Sequence, residues 1–386
     1  MKIGIMTLWT SANNYGQLLQ CYALQQVLKS NGHEPYLIQY DVLARNSKVF
    51  SLKKWCKILL VYPVIKKIWQ FKRKEQDKQY AMLLALKDQQ RGFDDFRNKY
   101  ISKSDKDFSD FEDLQRNPPI ADCYIAGSDQ IWSILLDRKE ATACFLNFGD
   151  SGTIRISYAA SFGRSVYPKK YLNNLSRALK RLNAVSVRED SGVDICAGVG
   201  IKATHVLDPT LLLKEENYMP LIEYPQIESP YFFTYQINIS SGDQIKWNEI
   251  IKYTKSIGLK SISVMSSGYV QGREILDNTQ YVYATIPQWL GYIKSSKFVI
   301  TTSFHGVVFC LIFHKNFVYF PLSGSFGSGN NRVFSLLKSI GLENKIYSED
   351  KSFQTILEQS VDWHSVDKRF NDLRRISYDY LLKKLA

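Results

Sequence analysis

Short apolar runs alternate with longer stretches of mixed polarity along most of this chain, and that alternation leaves few folds open. KIGIMTLW (2–9) reads as a strand, SANNYGQ (11–17) as a turn, and LLQCYALQQVLKSNG (18–32) as an amphipathic helix stopped at Asn31-Gly32. EPYLIQYD (34–41) reads as the next strand. The chain therefore opens with a βαβ unit, the start of a parallel sheet. Residues 45–100 read as mostly helical. Strands follow in DCYIAGSDQIW (122–132), RISYAASFG (155–163) and AVSVRED (184–190), with helices over 171–183 and 191–200; THVLDPTLLL (204–213) closes this half.

KEENYMPLIEYPQIESP (214–230) is rich in Glu and Pro and reads as a linker. A second alternation then begins, with strands over 231–237, 259–267, 297–301 and 316–321 and helices over 240–258, 285–296, 307–313 and 331–342. The chain's 386 residues suit two domains. The expected fold class is α/β: two facing doubly wound, Rossmann-like domains, 1–213 and 231–365, with a cleft between them. A basic helical insertion near 45–100 interrupts the first domain. A last basic helix over 366–386 can pack back on the N-terminal domain.

The net charge of +13 is concentrated. Residues 48–78 hold ten Lys/Arg and two acids, a local +8, together with Trp55, ILLVYPVI and Trp69. Basic, aromatic and apolar residues in one stretch suit an anionic membrane surface, or simply a solvated helical hairpin. No nucleic-acid motif accompanies the charge, so nucleic acid is not expected as a partner. The six cysteines form no CxxC pair and have no His at finger spacing, which argues against a disulfide framework or a zinc site. No apolar run approaches the length of a membrane span. The expected setting is reducing and cytoplasmic.

In α/β folds ligands bind outside the carboxyl ends of the strands, and the polar turns there hold the candidate residues. In TTSFHG (301–306), His305 follows a strand, and His is the side chain best suited to proton transfer near neutral pH. Gly306 would let the backbone approach a ligand closely. In NNYGQ (13–17), Asn14, Gly16 and Gln17 lie at a helix start whose N–H groups favour phosphate or carboxylate, or they form an ordinary turn. GSDQIW (127–132) offers Asp129, Gln130 and Trp132 as acceptor contacts, although Asp129 could equally cap the next helix. In SVRED (186–190), Arg188 can clamp an anion bidentately or pair with a carboxylate. Asp208 in LDPT reads as shaping the loop between the domains. Arg332, after the Gly/Ser/Asn loop SGSFGSGNN, is a second potential anion contact.

Taken in order, NYGQLLQCYALQQVLKSNGH, GSDQIW, YAASFG, SVRED, VLDPTLLL, TTSFHGVVFCLIFHKNFV and the Arg332 segment resemble the polysaccharide pyruvyl transferase family over roughly residues 1–345. The resemblance implies a GT-B-like two-domain fold. It also implies transfer of pyruvate from phosphoenolpyruvate to a sugar of a cell-surface polysaccharide or its lipid-linked precursor, giving a pyruvate ketal and phosphate. On this reading His305 is the acid or a phosphate contact. Arg188, Arg332, Asn14, Gly16, Gln17, Ser303 and Gly306 serve the donor, with no metal and no cofactor beyond phosphoenolpyruvate as co-substrate. Many members carry Arg two positions before the motif His, where this chain has Ser303, so one cation of the donor site is missing. Two other readings share the scaffold. One is a GT-B glycosyltransferase using a nucleotide sugar, for which Glu274 and Asp277 are the nearby acids that could grip a ribose. The other is a non-enzymatic glycan-binding protein. The enzyme would be cytoplasmic, with the option of a peripheral position at the inner membrane face.

Overall fold

The computed structural model describes residues 1–10, 14–42, 91–264 and 274–385. The basic segment 48–78 and most of the expected helical insertion lie outside the described residues.

Two five-stranded parallel sheets organise the chain. The first contains β1 (Lys2–Met6), β2 (Glu34–Tyr40), β3 (Lys103–Phe108), β4 (Cys123–Ala126) and β5 (Ile154–Ser157), in the order β3-β2-β1-β4-β5. A two-stranded sheet of β6 (Val185–Val187) and β7 (Ala203–His205) continues it through bridges Ile156–Ala184 and Ala160–Val187. The second sheet contains β8 (Tyr231–Tyr235), β9 (Lys260–Val264), β10 (Gln280–Val282), β11 (Val299–Thr301) and β12 (Phe317–Tyr319), in the order β10-β9-β8-β11-β12. Each order reverses beside its first strand, so each sheet has one switch point, between β1 and β4 and between β8 and β11. The inner strands are apolar on both faces, as parallel strands covered on both sides must be: β4 and β8 are buried throughout. β3 (KSDKDF) escapes sequence reasoning because it is a polar edge strand with only Phe108 buried.

The helices that frame the site are α1 (Tyr15–Ser30), α2 (Phe93–Tyr100), α3 (Leu172–Leu179), α4 (Asp190–Ala197), α5 (Ile286–Ser295), α6 (Phe304–Ile312), α7 (Asn331–Ile340) and α8 (Trp363–Lys383). α1 departs from the amphipathic expectation, because nearly all of it is buried. It lies between its own sheet and the second domain. Tyr15 stacks on Trp289 at 5.0 Å and donates to the carbonyl of Ala284. Two of its buried amides are fully bonded: Gln25 exchanges two hydrogen bonds with the Ser102 backbone, and Gln20 reaches Thr7 and Ser128. A helix buried on all sides needs such partners for every polar group.

One hydrophobic core runs from Ile3 and Leu24 through Tyr218 to Trp289 and Phe309, joining the two halves. Segment 214–230 contributes to it: the Tyr218 hydroxyl donates to Thr210, and its ring meets Phe309 edge-on at 5.1 Å. α8 crosses back to the first half. Tyr380 donates to the carbonyl of Ser157, Arg374 to Leu211 and Tyr378 to Leu212, while Ser377 Oγ accepts from the Leu207 amide.

Candidate functional site

The carboxyl ends of both sheets face each other, and seven of the sequence candidates gather there: Gly16, Gln17, Asp129, Gln130, Arg188, His305 and Arg332. Asp129 follows β4, Arg188 follows β6, and Asp208 follows β7. Arg188 sits at the centre, 3% exposed. Its Nη1 donates to Asp208 Oδ2 at 2.6 Å and its Nη2 to Asp129 Oδ1 at 3.3 Å. Asp208 also caps its own turn, taking bonds from the Thr210 amide and hydroxyl, and accepts from Ser128 Oγ at 3.1 Å. Asp129 accepts a weaker bond from Gln17 Nε2 at 3.4 Å. Burial penalises the charge on Asp208, but His305 and Arg188 beside it outweigh that penalty and hold its carboxyl far below the usual carboxylate range. Asp129 is likewise held low, the burial penalty being overcome by Arg188, His305 and Arg332. Burial alone would lower Arg188; its two carboxylates raise it instead.

The second domain supplies the other wall. α6 starts at Phe304, one residue before His305, so the imidazole stands in the helix's first turn and not on the loop expected from sequence. The helix begins early because Ser303 caps it, accepting from the Gly306 amide at 3.3 Å, while Thr301 holds the Ser303 amide. Ser303 is therefore spent as a cap. Gly306 is needed for a different approach from the one expected: a Cβ there would lie 2.4 Å from Thr301 Oγ1, so the glycine lets α6 close on its own strand β11. His305 is 7% exposed. Its Nε2 is 3.7 Å from Asp208 Oδ2, beyond hydrogen-bond range, and has no hydrogen-bond partner among the described residues. Gly16 makes room for its ring: a Cβ at Gly16 would lie 2.0 Å from His305 Nδ1.

Arg332, in the first turn of α7, is also buried. With the Gln130 amide oriented to satisfy both groups, its oxygen accepts from both terminal nitrogens of Arg332, at 2.6 and 2.7 Å. Arg332 Nε donates to the carbonyl of Gly329. It makes no ion pair among the described residues. Burial and the neighbouring Arg188 pull its pKa down to about 10, still cationic at neutral pH. Both guanidinium groups approach the Phe304 ring, Arg188 Cζ at 4.6 Å and Arg332 Cζ at 5.7 Å from its centroid.

The remaining candidates have structural positions. Asn14 caps α1 through the Gln17 amide. Trp132 is a correction: it is 0% exposed, stacks on Phe145 at 5.2 Å and donates to the carbonyl of Cys144, so it belongs to the core and faces no acceptor. Glu274 and Asp277 lie exposed in the turn before β10. Sequence reasoning gave Asp208 to a loop-shaping role, yet it is the shared partner of Arg188, Ser128 and His305. The Asp-Pro signature at a strand end reports the cap, whereas the second oxygen's partners come from β4 and β6. Glu189 was not singled out either; one of its oxygens accepts from Ser161 Oγ and the Phe162 amide, and the other has no partner among the described residues. No group of three metal-ligating side chains occurs among the described residues, and none of their helices is long and apolar enough to cross a membrane.

Two doubly wound domains closing on a buried Arg–Asp–His cluster make a GT-B-like architecture. Solved structures agree on the fold. One is a putative UDP-N-acetylglucosamine 2-epimerase from Listeria monocytogenes, 8% identical with a TM-score of 0.51, matched over 99% of this chain and 95% of that one. The UDP-N-acetylglucosamine 2-epimerase from Rickettsia bellii is 8% identical with a TM-score of 0.51, over 100% and 96%. Comparison with curated protein sequences gives no match. The family model for polysaccharide pyruvyl transferase matches residues 14–324, and the chain belongs to that family.

Proposed function

We propose that this protein transfers pyruvate from phosphoenolpyruvate to a pair of hydroxyls on a glycan acceptor, forming a ketal and releasing phosphate. The observation that carries the reading is Arg332, a buried cation with no carboxylate partner among the described residues, sharing the Phe304 ring with the paired Arg188. Arg188 already has two carboxylates, so its role is to fix Asp129 and Asp208. Arg332 is then the residue that meets the donor anion, and it compensates for Ser303 standing where many members carry Arg.

The chemistry needs one proton delivered to carbon. His305 gives a proton to the methylene carbon of the enol, generating an oxocarbenium-like centre at C2. One sugar hydroxyl adds there; the second displaces phosphate. The two hydroxyl protons leave the acceptor, one restoring His305 and the other leaving on phosphate. Asp208, 3.7 Å from His305 Nε2, steadies the imidazole as it cycles. The reading carries with it a cytoplasmic enzyme, peripheral at the inner membrane face when its acceptor is lipid-linked.

Calorimetric titration with phosphoenolpyruvate tests it, with UDP- and GDP-sugars as controls. Saturable phosphoenolpyruvate binding that weakens about tenfold or more in Arg332→Gln is expected, the scale of a lost charge-assisted contact. Silence with phosphoenolpyruvate alongside saturation by a nucleotide sugar would overturn the reaction and leave the fold.

A further inference from the structure

A groove on the flank of the first domain holds more cations than its own acids can balance. It encloses about 500 Å³ between the segment Leu136–Thr142 and α3. Arg138, Lys139, Arg177 and Arg181 line it, against one acid, Asp137. Of these cations only Lys139 has an ion pair among the described residues, with Glu112 at 3.7 Å. Arg177 lies in the last turn of α3 and Arg181 in the turn just past its end. Arg177 donates a hydrogen bond to Asn174 Oδ1, also in the groove. Arg138 is held by the carbonyl of Val42. These groups are exposed, so a ligand can reach them without any opening of the fold.

The groove is joined to the site by one short run of chain. Asp129 and Gln130 stand at the site, and the same loop reaches Leu136 and Asp137 at the groove. The loop is pinned between them: Arg164 donates to the carbonyl of Ser133, the Tyr167 hydroxyl accepts from the Leu136 amide, and Asn174 donates to the Leu136 carbonyl. The basic groove thus begins six residues along the chain from Gln130, on a loop whose position is fixed. We infer that this groove binds the oxyanions, phosphate or carboxylate, carried by the acceptor beyond the sugar that reacts. The inference rests on the reading of the site as a transferase acting on a glycan. Paired guanidinium groups suit both oxyanions through bidentate hydrogen bonds. Their field also draws an anionic acceptor toward the site, an effect that fades as salt shortens the screening length.

The test titrates inorganic pyrophosphate, and separately a short oligogalacturonate, into the full-length protein at low salt with saturating phosphoenolpyruvate. Arg177→Gln/Arg181→Gln is compared with Lys29→Gln/Lys103→Gln, which removes the same charge from a separate groove at the amino-terminal ends of β1, β2 and β3. At least one probe saturates the wild type, and its affinity falls about tenfold or more in the first variant and less than twofold in the second. Whichever probe shows that pattern identifies the oxyanion. Equal losses in the two variants, or no saturation by either probe, overturn the inference. Failure of phosphoenolpyruvate to bind the wild type would instead sink the reaction, while the groove comparison would still be readable.

Discussion

Gly16→Ala is expected to destabilise this protein, against the usual trend for a helix glycine. Alanine in place of glycine within a helix ordinarily gains about 0.5–1 kcal/mol. Here the new methyl would lie 2.0 Å from Nδ1, 2.1 Å from Cγ and 2.6 Å from Cβ of His305. Carbon contacts settle near about 3.5–4 Å, so the imidazole must retreat by roughly 1.5 Å. It has little room, being 7% exposed and edge-on to Phe304 at 5.1 Å. Overpacking of this kind costs about 1–3 kcal/mol, which leaves a net loss of about 1 kcal/mol. Urea denaturation gives the stability, and phosphate release from phosphoenolpyruvate gives the activity. A reacting group misplaced by about 1 Å loses about a hundredfold in rate, so turnover should fall by at least that much. Adding His305→Ala should restore the stability while leaving activity absent, because it removes the obstructing ring. A Gly16→Ala protein that is more stable than wild type and fully active would refute the packing of α1 against α6 on which the site depends.

Two further outcomes follow from the same geometry. Asp208→Asn strips one carboxylate from Arg188 and should cost about 3–5 kcal/mol at neutral pH. The Asp208 carboxyl is depressed in the folded state, so its contribution is present above the ordinary carboxylate pKa and is lost as pH falls toward the folded value. The gap between wild type and variant in denaturation midpoints should therefore be full at pH 7 and narrow below about pH 4; a gap that widens in acid would contradict the ion pair. Trp132→Leu should lower stability by about 2–4 kcal/mol through the lost ring and leave the acceptor KM unchanged in steady-state assays; a KM rise with intact stability would return Trp132 to the acceptor surface.

Much of the site was legible because its residues follow strands. Apolar runs followed by polar turns mark carboxyl edges, and those edges delivered Asp129, Arg188 and His305 to one place. What each residue does there was less legible. Arg188 reads in sequence as a clamp or an ion pair, and the choice depended on whether two carboxylates from other strands came within reach. Asp208 looked like a turn residue because one of its oxygens is one; its other oxygen meets groups 80 and 20 residues away. Trp132 stood in a polar motif and was assigned to the ligand, but its ring turns inward against Phe145.

The sequence by itself determined two doubly wound halves, since strand and helix periods are local properties of side-chain spacing and the parallel crossover admits few topologies. It also determined which turns carry polar and charged groups. Only the tertiary structure decided that α1 would be buried between the halves, that Gly16 would face His305, and that, among the described residues, Arg332 would be left without a carboxylate while Arg188 received two. Those outcomes depend on how two independent sheets meet. The contacts join residues from 20 and 59 positions apart, for Arg188 and its carboxylates, to 269 apart, for Tyr15 and Ala284, and no local period encodes them.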